Sequence, residues 1–296
     1  MKQVTPQVLF DNPLPTHEGG GDKQERGRVL VIAGSVAVPG AALLAGMAAL
    51  RAGAGILQIA TCQTSAQHIG SAMPEAMVIG CAESPRGGIH PSAGPRLAEL
   101  ASDCDALLIG PGMTDDAAVA DLTFALLKAV KTPCFVIDAA AFTSIRDSAE
   151  ILGAGERRVV VTPHSGEMAK FLDIERYEVD DDPLSCALKV SKIIRGVVAL
   201  KGATTHIVGP LGEAWVSDHG CIGLATSGSG DTLAGILSGL LARGTAPLLA
   251  SLWSVYMHAE AGRRLTTRNG GIGFLAREIP GEIPRIMADL SRGHKN

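Results

Sequence analysis

A chain of 296 residues with 46% hydrophobic and 19% charged residues can bury a substantial core, which excludes disorder over most of its length. Its net charge of −4, without a run of Lys or Arg, excludes an electrostatic footprint for nucleic acid, so a bound anion must be caught locally by loops. Aromatic residues are only 3%, so the core must be built from Ala, Val, Leu and Ile.

The six cysteines (Cys62, Cys81, Cys104, Cys134, Cys186 and Cys221) are scattered, lack CxxC spacing and mostly sit in or beside apolar segments, so they read as reduced, structural thiols rather than a zinc site or disulfide framework. Met1 to Phe10 has one Lys and no apolar h-region, and the apolar segment 43–50 is too short to span a bilayer. A cytoplasmic protein with no membrane partner is expected.

In chain order, residues 11–27 are polar, glycine-rich and without periodicity, which predicts an exposed loop and makes 1–26 a poorly patterned lead-in to a single domain over 1–296. Arg28 to Gly34 is an unbroken apolar run, as in a central parallel strand covered on both faces. Pro39 and Gly40 then open a helix over 41–53 so rich in Ala and Gly that its backbone can lie unusually close to a neighbour. Ser35 and Ala41, at its start, are candidates for ligand contact.

Strand-like runs recur at 55–61, 76–80, 106–110, 133–138, 158–162 and 197–200, with helical or turn-rich stretches between them. Such alternation predicts βαβ units and an α/β fold with a doubly wound, mostly parallel central sheet and helices on both faces. In these sheets ligands sit beyond the carboxyl ends of the strands. Those ends carry Gly110-Pro111-Gly112, Asp138, Pro163-His164-Ser165-Gly166-Glu167 and Lys201-Gly202-Ala203-Thr204-Thr205. One rim thus collects an acid, an imidazole, glycine amides and a cation. Taken singly, each could be a solvated turn residue; their shared position at successive strand ends argues otherwise.

Beyond Lys201, two short runs at 204–208 and 213–217 flank Gly209-Pro210-Leu211-Gly212, predicting a hairpin and an antiparallel edge. Next comes Leu224-Ala225-Thr226-Ser227-Gly228-Ser229-Gly230-Asp231, followed by Leu233, Ile236, Leu237, Leu240 and Leu241 at helical spacing, with Gly244 as the stop. A loop that opens a helix presents unpaired amides and the positive end of the dipole, a place for phosphate. Asp231 inside that anion site reads either as a base or metal partner, or as a helix cap. Two further helices are expected, at about 248–265 and past Pro280.

Together, Gly27 to Ser35, Pro39-Gly40-Ala41-Ala42, Gly110-Pro111-Gly112, Thr162-Pro163-His164-Ser165-Gly166-Glu167, Lys201-Gly202-Ala203-Thr204 and Gly228-Ser229-Gly230-Asp231 resemble the ADP/ATP-dependent NAD(P)H-hydrate dehydratase family, of ribokinase-like fold. The likeness runs from about Gly27 to Ile286. It implies an enzyme that restores NADH or NADPH from the hydrated dinucleotide (NADHX or NADPHX): ADP or ATP phosphorylates the ring hydroxyl with Mg2+ present, and phosphate then leaves.

The resemblance also implies site roles. Lys201, Gly202, Ala203, Thr204, Thr205, Gly228, Ser229 and Gly230 contact the adenine nucleotide; Ala41, Gly112, His164 and Asp231 contact the hydrate; Asp231 is the catalytic residue. A homo-oligomer and a separate epimerase supplying the reactive epimer are expected with it.

Three positions depart from the family pattern. Ala140 stands where a second acid usually follows Asp138, Ser165 replaces a proline, and Ser227 replaces the first glycine of the Gly-Ser-Gly-Asp loop. Two other functions remain open at this point: a small-molecule kinase of the same fold, and a nucleotide-binding protein without catalysis, which the missing second acid would suit.

Overall fold

The computed structural model describes residues 1–16, 22–153 and 158–292. Ten strands follow in order: β1 (Lys2–Gln3), β2 (Arg28–Ile32), β3 (Ile56–Cys62), β4 (Ala76–Cys81), β5 (Ala106–Ile109), β6 (Cys134–Ile137), β7 (Val159–Val161), β8 (Val197–Leu200), β9 (Thr205–Val208) and β10 (Ala214–Ser217). They form one sheet in the order β1-β10-β9-β8-β7-β6-β5-β2-β3-β4. Strands β2 to β8 run parallel, while β9 is antiparallel to both β8 and β10. This is the ribokinase-like arrangement expected from the sequence, antiparallel edge included.

The helices among the described residues are α1 (Pro6–Asp11), α2 (Gly40–Arg51), α3 (Gln63–Ala72), α4 (Gly94–Ser102), α5 (Asp116–Ala129) and α6 (Ala139–Ser144). They continue with α7 (Ser165–Leu172), α8 (Arg176–Asp181), α9 (Pro183–Ile194), α10 (Ser229–Ala242), α11 (Pro247–Asn269) and α12 (Ile279–Arg292). None is long and apolar enough to cross a membrane.

Two cores lie on opposite faces of the sheet, and β2 shows why its run is apolar without a break. Val29 and Val31 join the core under α2, α10, α11 and α12, whereas Leu30 and Ile32 join the core under α4, α5, α6, α7 and α9. Both faces are covered, so polar alternation has no place.

The small-residue helix does approach its neighbour closely. A Cβ on Gly235 would overlap the carbonyl oxygen of Ala45, and one on Gly239 that of Ala49. Helices α2 and α10 therefore pack backbone against backbone, and their N-termini are held side by side at the carboxyl rim.

The sheet order reverses at β2: the chain goes outward to β3 and β4, then crosses to β5 on the other side. That switch point leaves a crevice beyond the strand ends. Gly34 and Gly112 line its turns with φ of 80° and 63°, and Gly34 N–H donates to Pro111 O at 2.8 Å.

Residues 2–11, read from sequence as part of a patternless lead-in, are instead built into the body. β1 pairs in parallel with β10, and Thr5 Oγ1 caps α1 by accepting from Val8 N–H at 3.3 Å. Val4 and Leu9 are buried. Two apolar anchors in so short a segment are too few for periodicity to reveal. The expected exposed loop at 11–27 is pinned at its beginning, where Asn12 O accepts from Trp253 Nε1 and Pro15 O from Arg243 Nη2; its residues 17–21 lie outside the described residues.

Candidate active site

Four consecutive strands of the sheet, β5 to β8, deliver the rim residues to one edge. Lys201 follows β8 and its N–H donates to Pro163 O at 2.7 Å, a short parallel bridge that ties the His164 loop to the lysine. Lys201 Nζ lies 2.9 Å from Asp138 Oδ1, which also accepts from Thr162 Oγ1 at 2.7 Å. Asp138 is almost wholly buried, so the ion pair is screened from water. Burial works against the ammonium, but Asp138 and then Glu167 outweigh it and hold Lys201 above the usual lysine range.

His164 is the N-cap of α7. Its Nδ1 accepts from the N–H groups of Gly166 and Glu167 at 3.0 and 3.2 Å, and Glu167 Oε2 accepts from His164 N–H at 2.8 Å, a reciprocal capping box. The capping role and the ligand-facing role thus coincide, because Nδ1 is used by the helix while the ring edge lines a cavity. The box also aims Glu167 toward Lys201. Burial raises the Glu167 carboxyl, and Lys201 offsets part of that rise.

Helix α10 begins three residues earlier than a cap at Asp231 would place it. Gly228 takes the N-cap position with φ of 86°, and no side chain caps the helix. Ser229 N–H donates to Thr226 O at 3.2 Å, and the next first-turn amides, at Gly230 and Asp231, are left for a ligand. Asp231 is the third helical residue, not the cap. Its carboxyl accepts no hydrogen bond from the described residues, and its pKa is raised to about 6 by burial, then by Asp138, with Lys201 pulling the other way. Of the sequence readings, the helix cap is the one the geometry removes.

A Cβ at Gly230 would stand 3.3 Å from Lys201 Nζ, so the ammonium lies directly beside the first turn of α10. A cation at the positive end of a helix is unfavourable alone. Three carboxylates, Asp138, Glu167 and Asp231, offset it, and together they supply acids around Lys201 without the one missing at Ala140.

Beside this cluster opens a cavity of about 690 Å3. His164, Lys201, Gly202, Ser229 and Gly230 supply polar groups to its lining; Ile222, Leu224, Leu233, Val255 and Ala259 supply apolar ones. The volume suits a nucleotide-sized ligand whose phosphates meet the cation and amides while its base meets the apolar wall.

Of the expected nucleotide contacts, Lys201, Gly202, Ala203, Thr205, Ser229 and Gly230 line this cavity. Thr204 is exposed outside the lining, and the α-carbon of Gly228 faces Leu44 of α2, where its part is the tight turn. Ala41 and Gly112 abut each other in the crevice at the β2/β5 switch point rather than in the cavity: a Cβ on Gly112 would overlap that of Ala41. Asp231 stands by the Lys201 cluster and is not in the cavity lining. Of the expected hydrate contacts, His164 lines the same cavity as the nucleotide contacts, whereas Ala41, Gly112 and Asp231 lie outside its lining.

Three residues have parts that the sequence did not assign, although Thr162 opens one of the quoted motifs. Thr162 holds Asp138, the buried Ser217 hydroxyl lines the cavity with no hydrogen-bond partner among the described residues, and His258 is buried beneath Ser229. Ser217 and His258 carry no local signal, since each lies inside an ordinary strand or helix pattern.

No group of three or more His, Cys, Asp or Glu that could hold a metal occurs among the described residues. Magnesium commonly binds through one or two carboxylates and the phosphates it accompanies. Asp138 and Glu167, carboxylates beside Lys201, would suit that mode and not an ion caged by protein alone.

A family model described as NAD(P)H-hydrate dehydratase matches residues 29–285. The ADP-dependent (S)-NAD(P)H-hydrate dehydratase of Xanthomonas campestris is 47% identical over 99% of this chain and 98% of its own length. A bifunctional NAD(P)H-hydrate repair enzyme of Moorella thermoacetica is 35% identical over 94% of this chain, which spans 52% of that protein. Among solved structures, the ADP/ATP-dependent NAD(P)H-hydrate dehydratase of Bacillus subtilis, co-crystallised with ATP and Mg2+, superposes with a TM-score of 0.82 at 28% identity, covering 98% of both chains.

Proposed function

The chain belongs to the NAD(P)H-hydrate dehydratase family, and from that premise we infer that it returns hydrated NADH and NADPH to the reduced dinucleotides at the expense of an adenine nucleotide. It is a lyase driven by phosphoryl transfer. Hydroxide is a poor leaving group, whereas a phosphate ester leaves readily. The ring hydroxyl oxygen takes the donor's terminal phosphoryl group and loses its proton. The C–O bond then breaks with its electron pair on phosphate, a proton leaves the adjacent ring carbon, and the double bond is restored.

The observation that carries the assignment of roles is the Asp231 carboxyl, unbonded in the first turn of α10 with its pKa lifted to about 6. A base poised near neutrality takes the hydroxyl proton, while the amides of Gly230 and Asp231 receive the transferred charge. Lys201, held charged by Asp138, faces the donor's phosphates. His164, on the cavity wall, and the abutting Ala41 and Gly112 at the switch point contact the hydrate. Magnesium, when bound, neutralises phosphate charge. Self-association, cytoplasmic residence and supply of substrate by a separate epimerase belong to the same proposal.

Incubation of the protein with hydrated NADH, Mg2+ and ADP or ATP tests the activity: orthophosphate and the absorbance of reduced nicotinamide should appear together. Accumulation of a stable phosphorylated alcohol would instead identify a kinase. Lys201→Ala tests the division of the site. Loss of a charge-assisted phosphate contact should raise KM for the nucleotide about 10- to 100-fold and KM for the hydrate by less than about threefold. Equal losses for both substrates would refute the division.

A further inference from the structure

His258, on the inner face of α11, contributes to the cavity wall and is buried. Its Nε2 lies 3.0 Å from the hydroxyl oxygen of Ser229 and 3.0 Å from the carbonyl oxygen of the same residue. A carbonyl only accepts, so Nε2 must carry the ring hydrogen; an Nδ1–H tautomer would press a bare nitrogen lone pair against that oxygen. Burial also holds the imidazole down to a pKa of about 4, leaving it neutral near pH 7.

The tautomer decides what the Ser229 hydroxyl can do. With Nε2 donating, Ser229 Oγ accepts a share of the same N–H, and its own hydrogen is unused. Among the described residues, that imidazole is the one hydrogen-bond partner of Ser229 Oγ. Thr232 Oγ1 donates to Ser229 O at 2.7 Å and occupies the carbonyl from the other side. The spare O–H therefore belongs to a residue that lines the cavity and begins α10, next to the glycine facing the Lys201 ammonium.

We propose that His258 is a positioning residue for phosphoryl transfer: by donating from Nε2 it reserves the Ser229 hydroxyl as a donor to the transferring group, beside the free amides of α10. This rests on the dehydratase reading for what is transferred, but the hydrogen-bond geometry stands apart from it.

A double-mutant cycle tests the coupling. Ser229→Ala should lower kcat about 30-fold with KM for the nucleotide moving less than about threefold, as for loss of one donor to developing charge. His258→Leu should lower kcat to a similar extent, and the double variant no further than either alone. His258→Gln, whose amide N–H reaches the Nε2 position, should recover most of the activity. Losses that multiply in the double variant, or an unchanged kcat in His258→Leu, overturn the proposal.

A second measurement needs no variant of this histidine and no turnover. In a proton–nitrogen correlation of the imidazole side chains, His258 should be protonated at Nε2 and bare at Nδ1, and an Nδ1–H ring overturns the proposal. Absence of dehydratase turnover in the unmodified protein would count against the activity instead, and leaves the tautomer measurement able to decide.

Discussion

Asp231→Asn is expected to lower turnover about 1,000-fold, the range of a lost general base, while nucleotide affinity changes by less than about threefold. Asn keeps the shape of the side chain and its place in the first turn of α10, but cannot take the hydroxyl proton. Near-normal turnover in this variant would end the assignment. The unmodified enzyme should gain activity as pH rises through about 6, because only the ionised carboxylate serves as a base. Residual activity of the variant should show no such limb.

The same substitution has a second signature in stability, with a sign opposite to that of most carboxylates. The folded-state pKa of Asp231 lies above its unfolded value of 3.8, so the native state binds the extra proton between about pH 4 and 6. Its contribution is fully present below the unfolded pKa and is lost as pH rises through the folded one. At pH 7 to 8 the buried charge costs about 2 to 3 kcal/mol, which Asn would recover; at pH 3.5 the variant should gain almost nothing. Denaturant midpoints at the two pH values measure this. Equal shifts at both would show that burial does not perturb the carboxyl.

Gly239→Val is expected to destabilise the protein by about 3 kcal/mol or more, because its side chain would overlap the Ala49 carbonyl with rigid backbone on both sides. Gly281→Ala supplies the contrast. Gly281 is exposed on α12 with nothing within 4 Å of a Cβ, so alanine there should be neutral or stabilise by up to about 1 kcal/mol. Thermal or denaturant unfolding distinguishes them; similar effects at both positions would refute the close helix contact. Function is tied to that contact, since Gly228 rests on Leu44 and any shift of α10 away from α2 moves the anion-binding turn with it.

Elements with a strong local pattern were legible before the structure. The apolar strands, the Gly-Ser-Gly-Asp turn and the small-residue helix announce themselves because backbone conformation and two-sided burial act over a few neighbouring residues. Ordering the strand ends along one rim then brought Asp138, His164 and Lys201 into one neighbourhood, since parallel strands place their carboxyl ends together. What escaped was short or non-periodic: β1, with two residues, and α1, whose anchors Val4 and Leu9 make no repeat.

Pairings were another matter. Asp138 and Lys201 lie 63 residues apart, and Ser229 and His258 lie 29 apart on different helices. No spacing rule could match Asp138 to Lys201 before the sheet order set β6, β7 and β8 side by side. The chain by itself determined which groups would reach the rim, and only the tertiary structure decided how they are charged and which hydrogens remain free. A carboxyl's pKa and a hydroxyl's donor role depend on burial and on partners a few ångströms away in space, and those distances exist only once the strands and helices have packed.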